Sequence, residues 1–148
     1  MPTSAIELAR IAECSRDYSN SIPSMKLNGD FFEVLAQESL ENGFRCHVSL
    51  NAEHTIYQAH FPGNPITPGV CLLQIATELL EQHEGVRLQL HTADAIKFRK
   101  PVTPDMRPTF VFTGLNHEAG ILAVIVSVED EDKSPIAKMS LKFNVIDK

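Results

Sequence analysis

The 148-residue sequence has no tryptophan, three cysteines and more acid than base. It also has no apolar run approaching the roughly 18 residues that mark a membrane span. Each shortage excludes something. Cys14, Cys46 and Cys71 are too few and too irregularly spaced for a disulfide framework, and none belongs to a Cys-x-x-Cys pair. A reducing, cytoplasmic setting is therefore expected. The N-terminus lacks the basic head and apolar stretch of a secretory signal, so neither secretion nor a membrane anchor is predicted. Lys and Arg number 13 against 19 Asp and Glu, a net charge of −6. That balance argues against a nucleic-acid partner, whose binders carry a basic bias. What is present is ordinary for a globular chain, 43% apolar and 22% charged. One domain is expected, long enough to bury a core without staples.

Ser4 and Glu7 have capping-box spacing, and Ile6, Leu8, Ile11 and Ala12 predict a short helix to about Cys14. A polar stretch broken by Pro23 and Gly29 follows, so residues 1–28 read as an N-terminal extension ahead of a domain over 29–148. Residues 31–50 hold two candidate strands joined around Asn42-Gly43, a strong hairpin signal. After a turn-rich segment, VCLLQIATELLEQHEG reads as a helix stopped by Gly85. Four strand candidates complete the chain: RLQLHTADAIKF, TFVFTGL, GILAVIVSVED and PIAKMSLKFNVI. Their turns fall at Pro101 and Pro104, at 116–120 and at 130–135. A single helix that apolar must be enclosed by sheet. The fold class is α+β, an antiparallel sheet curled around a central helix.

The segment HFPGNPITPG, residues 60–69, carries the chemistry. Each proline fixes φ near −65° and pushes its predecessor towards extended backbone, so residues 61–68 cannot be helix. Pro68 and Gly69 stand where the helix begins, and Gly69 leaves the first N–H groups open to a ligand oxygen. A stiff loop thus holds His60 near the positive end of a buried helix. Histidine titrates near neutral pH, and beside fixed N–H donors it is equipped to take a proton from a carbon next to a carbonyl. Two plainer readings compete: a structural histidine, and a polyproline ligand for another protein's groove.

His60, Phe61, Pro62, Pro65, Pro68 and Gly69 form the pattern His-Phe-Pro-x-x-Pro-x-x-Pro-Gly. Six fixed positions arise by chance on the order of once in a hundred million windows. The pattern resembles the signature of the β-hydroxyacyl-ACP dehydratases. AIKFRKPVTPD, residues 95–105, resembles that family's later strand and turn, with Asp105 where glycine is usual. The resemblance covers about residues 30–146 and implies a hot-dog fold. It also implies that His60 removes the C2 proton of a 3-hydroxyacyl thioester carried by acyl carrier protein or CoA. The Ile66 carbonyl would hold the other imidazole nitrogen, the Gly69 N–H would bind the thioester oxygen, and Phe61 would line the acyl site. No cofactor is implied. Sites of this family form between two subunits, so a homodimer or a trimer of dimers is expected.

The family's helix acid stands fourteen residues after the histidine, and here that position is Gln74. An amide can hold a hydroxyl but cannot protonate it, and general acid help is worth about 10²–10⁴-fold. Gln74 interrupts an apolar run, so its amide needs a polar partner, in a substrate pocket or in a structural hydrogen bond. Glu78, one turn on, is the candidate substitute acid or substrate contact; otherwise it is a solvated residue. Glu78, Glu81 and Glu84 all run against the helix dipole, which the sequence does not account for. Lys97, Arg99 and Lys100 form a basic run that suits an acidic carrier protein or a solvated strand end. The remaining histidines show no metal-ligand spacing, and no metal is expected. The leading expectation is a dehydratase. Its alternatives are a weakened subunit that completes a heteromeric dehydratase, and an acyl thioesterase.

Overall fold

The structure, a computed structural model, describes residues 27–61 and 63–147; the helix expected at residues 4–14 lies outside them. Six strands form one sheet: β1 (Phe32–Leu40), β2 (Gly43–Leu50), β3 (Arg87–Phe98), β4 (Thr109–Glu118), β5 (Ile121–Glu129) and β6 (Pro135–Asp147). Two helices interrupt them after β2: a single turn, α1 (Ile56–Ala59), and the long α2 (Gly69–Glu84). Every pairing is antiparallel, in the order β1-β2-β4-β5-β6-β3. The expected α+β class and element order are met, with α1 the one addition. Gly85 ends α2 as predicted, in the left-handed conformation at φ 68°.

Alternation builds the inner face. Phe44, Cys46, Val48 and Leu50 of β2 are buried, and so are Leu122, Val124, Val126 and Val128 of β5, with their neighbours turned outwards. Phe110, Phe112, Met139, Leu141 and Phe143 complete that face from β4 and β6. Against it lies α2, burying Cys71, Leu72, Leu73, Ile75, Ala76, Leu79 and Leu80. Large apolar side chains buried this way each contribute about 1.5–3 kcal/mol. The edge strands β1 and β3 bury only one residue each, Phe32 and Leu88.

Two turns sharpen the expectation. The hairpin forms where Asn42-Gly43 signalled it, but its two turn residues are Glu41 and Asn42, and Gly43 is the first residue of β2, paired with Leu40 on one side and Thr113 on the other. Glycine is needed there for approach: a Cβ would lie 1.7 Å from the Phe112 carbonyl oxygen. The turn expected across 116–120 narrows to two residues, because Asn116, His117 and Glu118 remain paired with β5. Ala119 and Gly120 make it with φ of 53° and 78°, both positive as a tight type I′ hairpin requires.

Burial pushes the Cys46 thiol up to about 11 and the Cys71 thiol up to about 12. At about pH 8 the reactive thiolate is then at most about one part in a thousand at either site. Iodoacetamide should leave both cysteines unlabelled in the folded protein and label both in urea, as read by peptide mass spectrometry. Labelling of Cys71 in the native protein would show that α2 is not enclosed. Gly43→Ala should lower unfolding free energy by about 3 kcal/mol, at the upper end of overpacking costs, in a urea titration. A loss below about 1 kcal/mol would mean β4 moves aside without strain.

Candidate functional site

The loop from His60 to α2 is pinned at several points. His60 closes α1, its N–H donating to the Ile56 carbonyl at 3.0 Å. Phe61 and Asn64 exchange backbone hydrogen bonds of 3.1 and 2.9 Å, which makes a tight reversal. The Ile66 N–H then donates to the His60 carbonyl at 2.8 Å, and the Thr67 N–H to the Val102 carbonyl at 2.7 Å. Tyr57 and Thr67 hydroxyls meet at 2.8 Å in the interior. Burial pushes the Tyr57 phenol up to about 12, so it stays protonated beside Thr67. The prolines explain why this segment is extended; the Thr67–Val102 bond explains where it is held.

His60 is half-buried, and its imidazole has no hydrogen-bond partner among the described residues. It meets the ring of Phe61 edge to face at 5.4 Å, and Phe61 itself is 51% exposed. Ile66 therefore bonds His60 through backbone N–H to backbone C=O, rather than through its carbonyl to the ring. Pro68 caps α2 in extended conformation and Gly69 is its first residue. The N–H groups of Gly69 and Val70 have no acceptor among the described residues, as the first turn of a helix leaves them. A Cβ on Gly69 would stand 2.6 Å from the Phe98 ring, so this start of helix is tightly covered by the end of β3.

Gln74 is half-buried and does find a polar partner: its Nε2 donates to Glu78 Oε2 at 2.9 Å. Glu78 is not solvated but 8% exposed. Its carboxylate also accepts the Leu27 N–H on both oxygens, at 2.9 and 2.8 Å, and the Asn28 N–H at 3.0 Å. The acidic series against the helix dipole is thereby explained. Glu81 accepts the Leu88 N–H at 2.9 Å, and Glu84 lies between His83 at 2.7 Å and His117 at 2.8 Å. Burial alone would raise the Glu84 carboxyl, but the two histidines outweigh it and hold it below the usual carboxylate range. Glu78 and Glu84 draw on donors that the sequence places far away, Leu27, Asn28 and His117, whereas Leu88 follows Glu81 by only a few positions.

The basic run divides. Lys100 is engaged by Asp130 at 2.9 Å and Ser134 at 2.7 Å, while Lys97 and Arg99 are exposed. Asp105, in the usual glycine position, is exposed and accepts the Thr103 hydroxyl. A cleft of about 340 Å³, lined by Arg45, His47 and Arg107 among others, lies on the outer side of the sheet. A second, of about 240 Å³, lies by β1 and the end of β2. Neither includes a residue of the 60–69 loop or of α2. Among the described residues no cluster of three or more His, Cys, Asp or Glu is arranged to hold a metal ion. Two partners escaped the sequence reading. The Tyr57–Thr67 pair gave no signal, whereas the Gln74–Glu78 spacing was visible but not its anchor at Leu27.

Residues 36–139 match the family model of the ApeI-like proteins, described as ApeI dehydratase. A curated relative, the 3-hydroxyacyl-[acyl-carrier-protein] dehydratase FabZ of Acetivibrio thermocellus, is 33% identical over 68% of this chain and 72% of that one. Among solved structures, the dehydratase heterocomplex ApeI:P from Xenorhabdus doucetiae superposes with a TM-score of 0.61 at 13% identity. That match covers 75% of this chain and 96% of that one. A hypothetical thioesterase with coenzyme A from Streptococcus pneumoniae reaches 0.58 at 12% identity, covering 90% and 97%. At those identities the structures speak for the fold, which is the hot-dog fold; the family rests on sequence. The chain belongs to the ApeI-like dehydratases, within the β-hydroxyacyl-ACP dehydratase family.

Proposed function

We propose that this protein dehydrates 3-hydroxyacyl thioesters, with His60 as the base. The observation that carries the reading is an imidazole without a hydrogen-bond partner among the described residues, on a pinned loop that leads directly into the open N–H groups at the start of α2. His60 takes the C2 proton, and the electron pair is delocalised onto the thioester oxygen, which the Gly69 N–H stabilises. Collapse of that enolate expels the C3 hydroxyl. Gln74 has no acidic proton to give, so the imidazolium formed at His60 is the source of the proton that completes water. The acyl chain lies along α2, and Phe61 borders it. The thioester is carried by CoA or by acyl carrier protein, with Lys97 and Arg99 as exposed cations for the latter.

A dimer is part of this reading. Strand β3 is a twelve-residue edge with unpaired backbone groups, and His60 lines neither the cleft of about 340 Å³ nor that of about 240 Å³. Joining two sheets covers such an edge and brings one chain's histidine to the other's helix. The alternative, a subunit that completes a heteromeric dehydratase, is favoured by Gln74 and by the likeness to a dehydratase heterocomplex. A thioesterase has the support of fold alone.

Light scattering at micromolar concentration should give at least twice the 16.4 kDa of one chain; a monomer would remove the shared site. His60→Ala should abolish exchange of the C2 proton on a bound acyl thioester, with little change in thermal stability because the ring makes no hydrogen bond among the described residues. Unchanged exchange with a large loss of stability would establish a structural histidine instead. Dehydration measured for the wild-type protein alone and mixed with an active dehydratase separates the enzyme from the partner subunit.

A further inference from the structure

Glu78 is a buried carboxylate on which four hydrogen bonds from three donor groups converge. Oε1 accepts from the Leu27 and Asn28 N–H groups, and Oε2 from the Leu27 N–H and Gln74 Nε2. Leu27 and Asn28 lie about fifty residues earlier in the chain, so these bonds hold the carboxylate from outside its own helix. Two oxygens occupied in this way act as acceptors only. An amide beside them has one allowed orientation, with nitrogen towards the carboxylate; the flipped amide would set oxygen against oxygen. Gln74 is half-buried, and its Oε1 has no hydrogen-bond partner among the described residues.

We propose that Glu78 is a positioning residue that fixes the Gln74 amide with Oε1 turned to the acyl site, where it accepts a hydrogen bond from the 3-hydroxyl of the thioester. The proposal rests on the reading of position 74 as part of the acyl site. It gives Gln74 a role that an amide can fill: it recognises and orients the hydroxyl without acidifying it. Glu78 is then neither the substitute acid nor a surface residue. It decides which end of Gln74 the substrate meets, and it ties that choice to the chain entering the domain at Leu27. A hydroxyl that donates to Oε1 keeps its own lone pairs free to take the proton carried by His60, so recognition by Gln74 is compatible with loss of water.

The test uses the full chain carrying His60→Ala, so that bound ligand is not turned over. Calorimetric titrations compare 3-hydroxyoctanoyl with octanoyl thioesters, each on CoA and on acyl carrier protein. The hydroxylated thioester should bind about two- to tenfold tighter, the range of one net hydrogen bond. Adding Glu78→Gln or Gln74→Leu should bring that ratio close to one while the octanoyl affinity holds. A merely structural role for Glu78 would weaken both thioesters together and leave their ratio intact. Gln74→Leu keeps the Leu27 and Asn28 bonds to Glu78, so the comparison stands if Glu78→Gln fails to fold. Equal binding of the two thioesters before either substitution, or a ratio that survives them, overturns the proposal. If octanoyl binds on neither carrier, the acyl-site reading falls, and this inference with it.

Discussion

Helix α2 is apolar on too many sides to rest on a surface, and that constraint organises the rest of the molecule. Seven of its apolar residues, from Cys71 to Leu80, are buried, and they lie on more than one stripe of the helix. A flat sheet covers one stripe. A sheet of six antiparallel strands has enough inward rows of Phe, Val and Leu to enclose most of the helix. The short loops between β4, β5 and β6 follow from the same demand, because neighbouring strands must stay in register to keep one face apolar. The Ala119-Gly120 turn, with both residues at positive φ, keeps that register with the fewest residues.

Enclosure has an electrostatic consequence. A buried helix whose last two turns carry Glu78, Glu81 and Glu84 concentrates negative charge at its own negative end. Each acid is met by donors from elsewhere: the chain entering at Leu27, the start of β3 at Leu88, and His117 at the far end of β4. These contacts connect segments that sheet pairing alone leaves separate. Buried carboxylates that lack such donors are strongly destabilising, so helix, entering chain and sheet depend on one another.

The loop before α2 draws on the same enclosure. His60 and the N–H groups of Gly69 and Val70 stand at the end of α2 opposite the acids, where the dipole favours developing negative charge. Thr67 ties the loop to Val102, and Phe98 covers Gly69, so the segment after β3 acts as a wall for the loop before α2. The two stretches that carry the family resemblance, residues 60–69 and 95–105, are therefore in contact. Their likeness to the family reflects one packed unit rather than two separate motifs.

The sequence by itself determined the element order, the class and the loop. Prolines at 62, 65 and 68 forbid helix whatever surrounds them, Gly85 stops α2 through its own backbone freedom, and alternation in β2 and β5 needs no partner to be read. These are local properties, set by residues within a few positions of one another. What depended on distant residues was not legible. Gly43 looked like a turn glycine because the Phe112 carbonyl that requires it lies in a strand almost seventy residues later. Glu78 looked solvated because the backbone donors that bury it come from Leu27 and Asn28, and backbone N–H groups have no letter in a sequence. For the same reason the orientation of the Gln74 amide was decided only when tertiary structure brought a held carboxylate to its nitrogen.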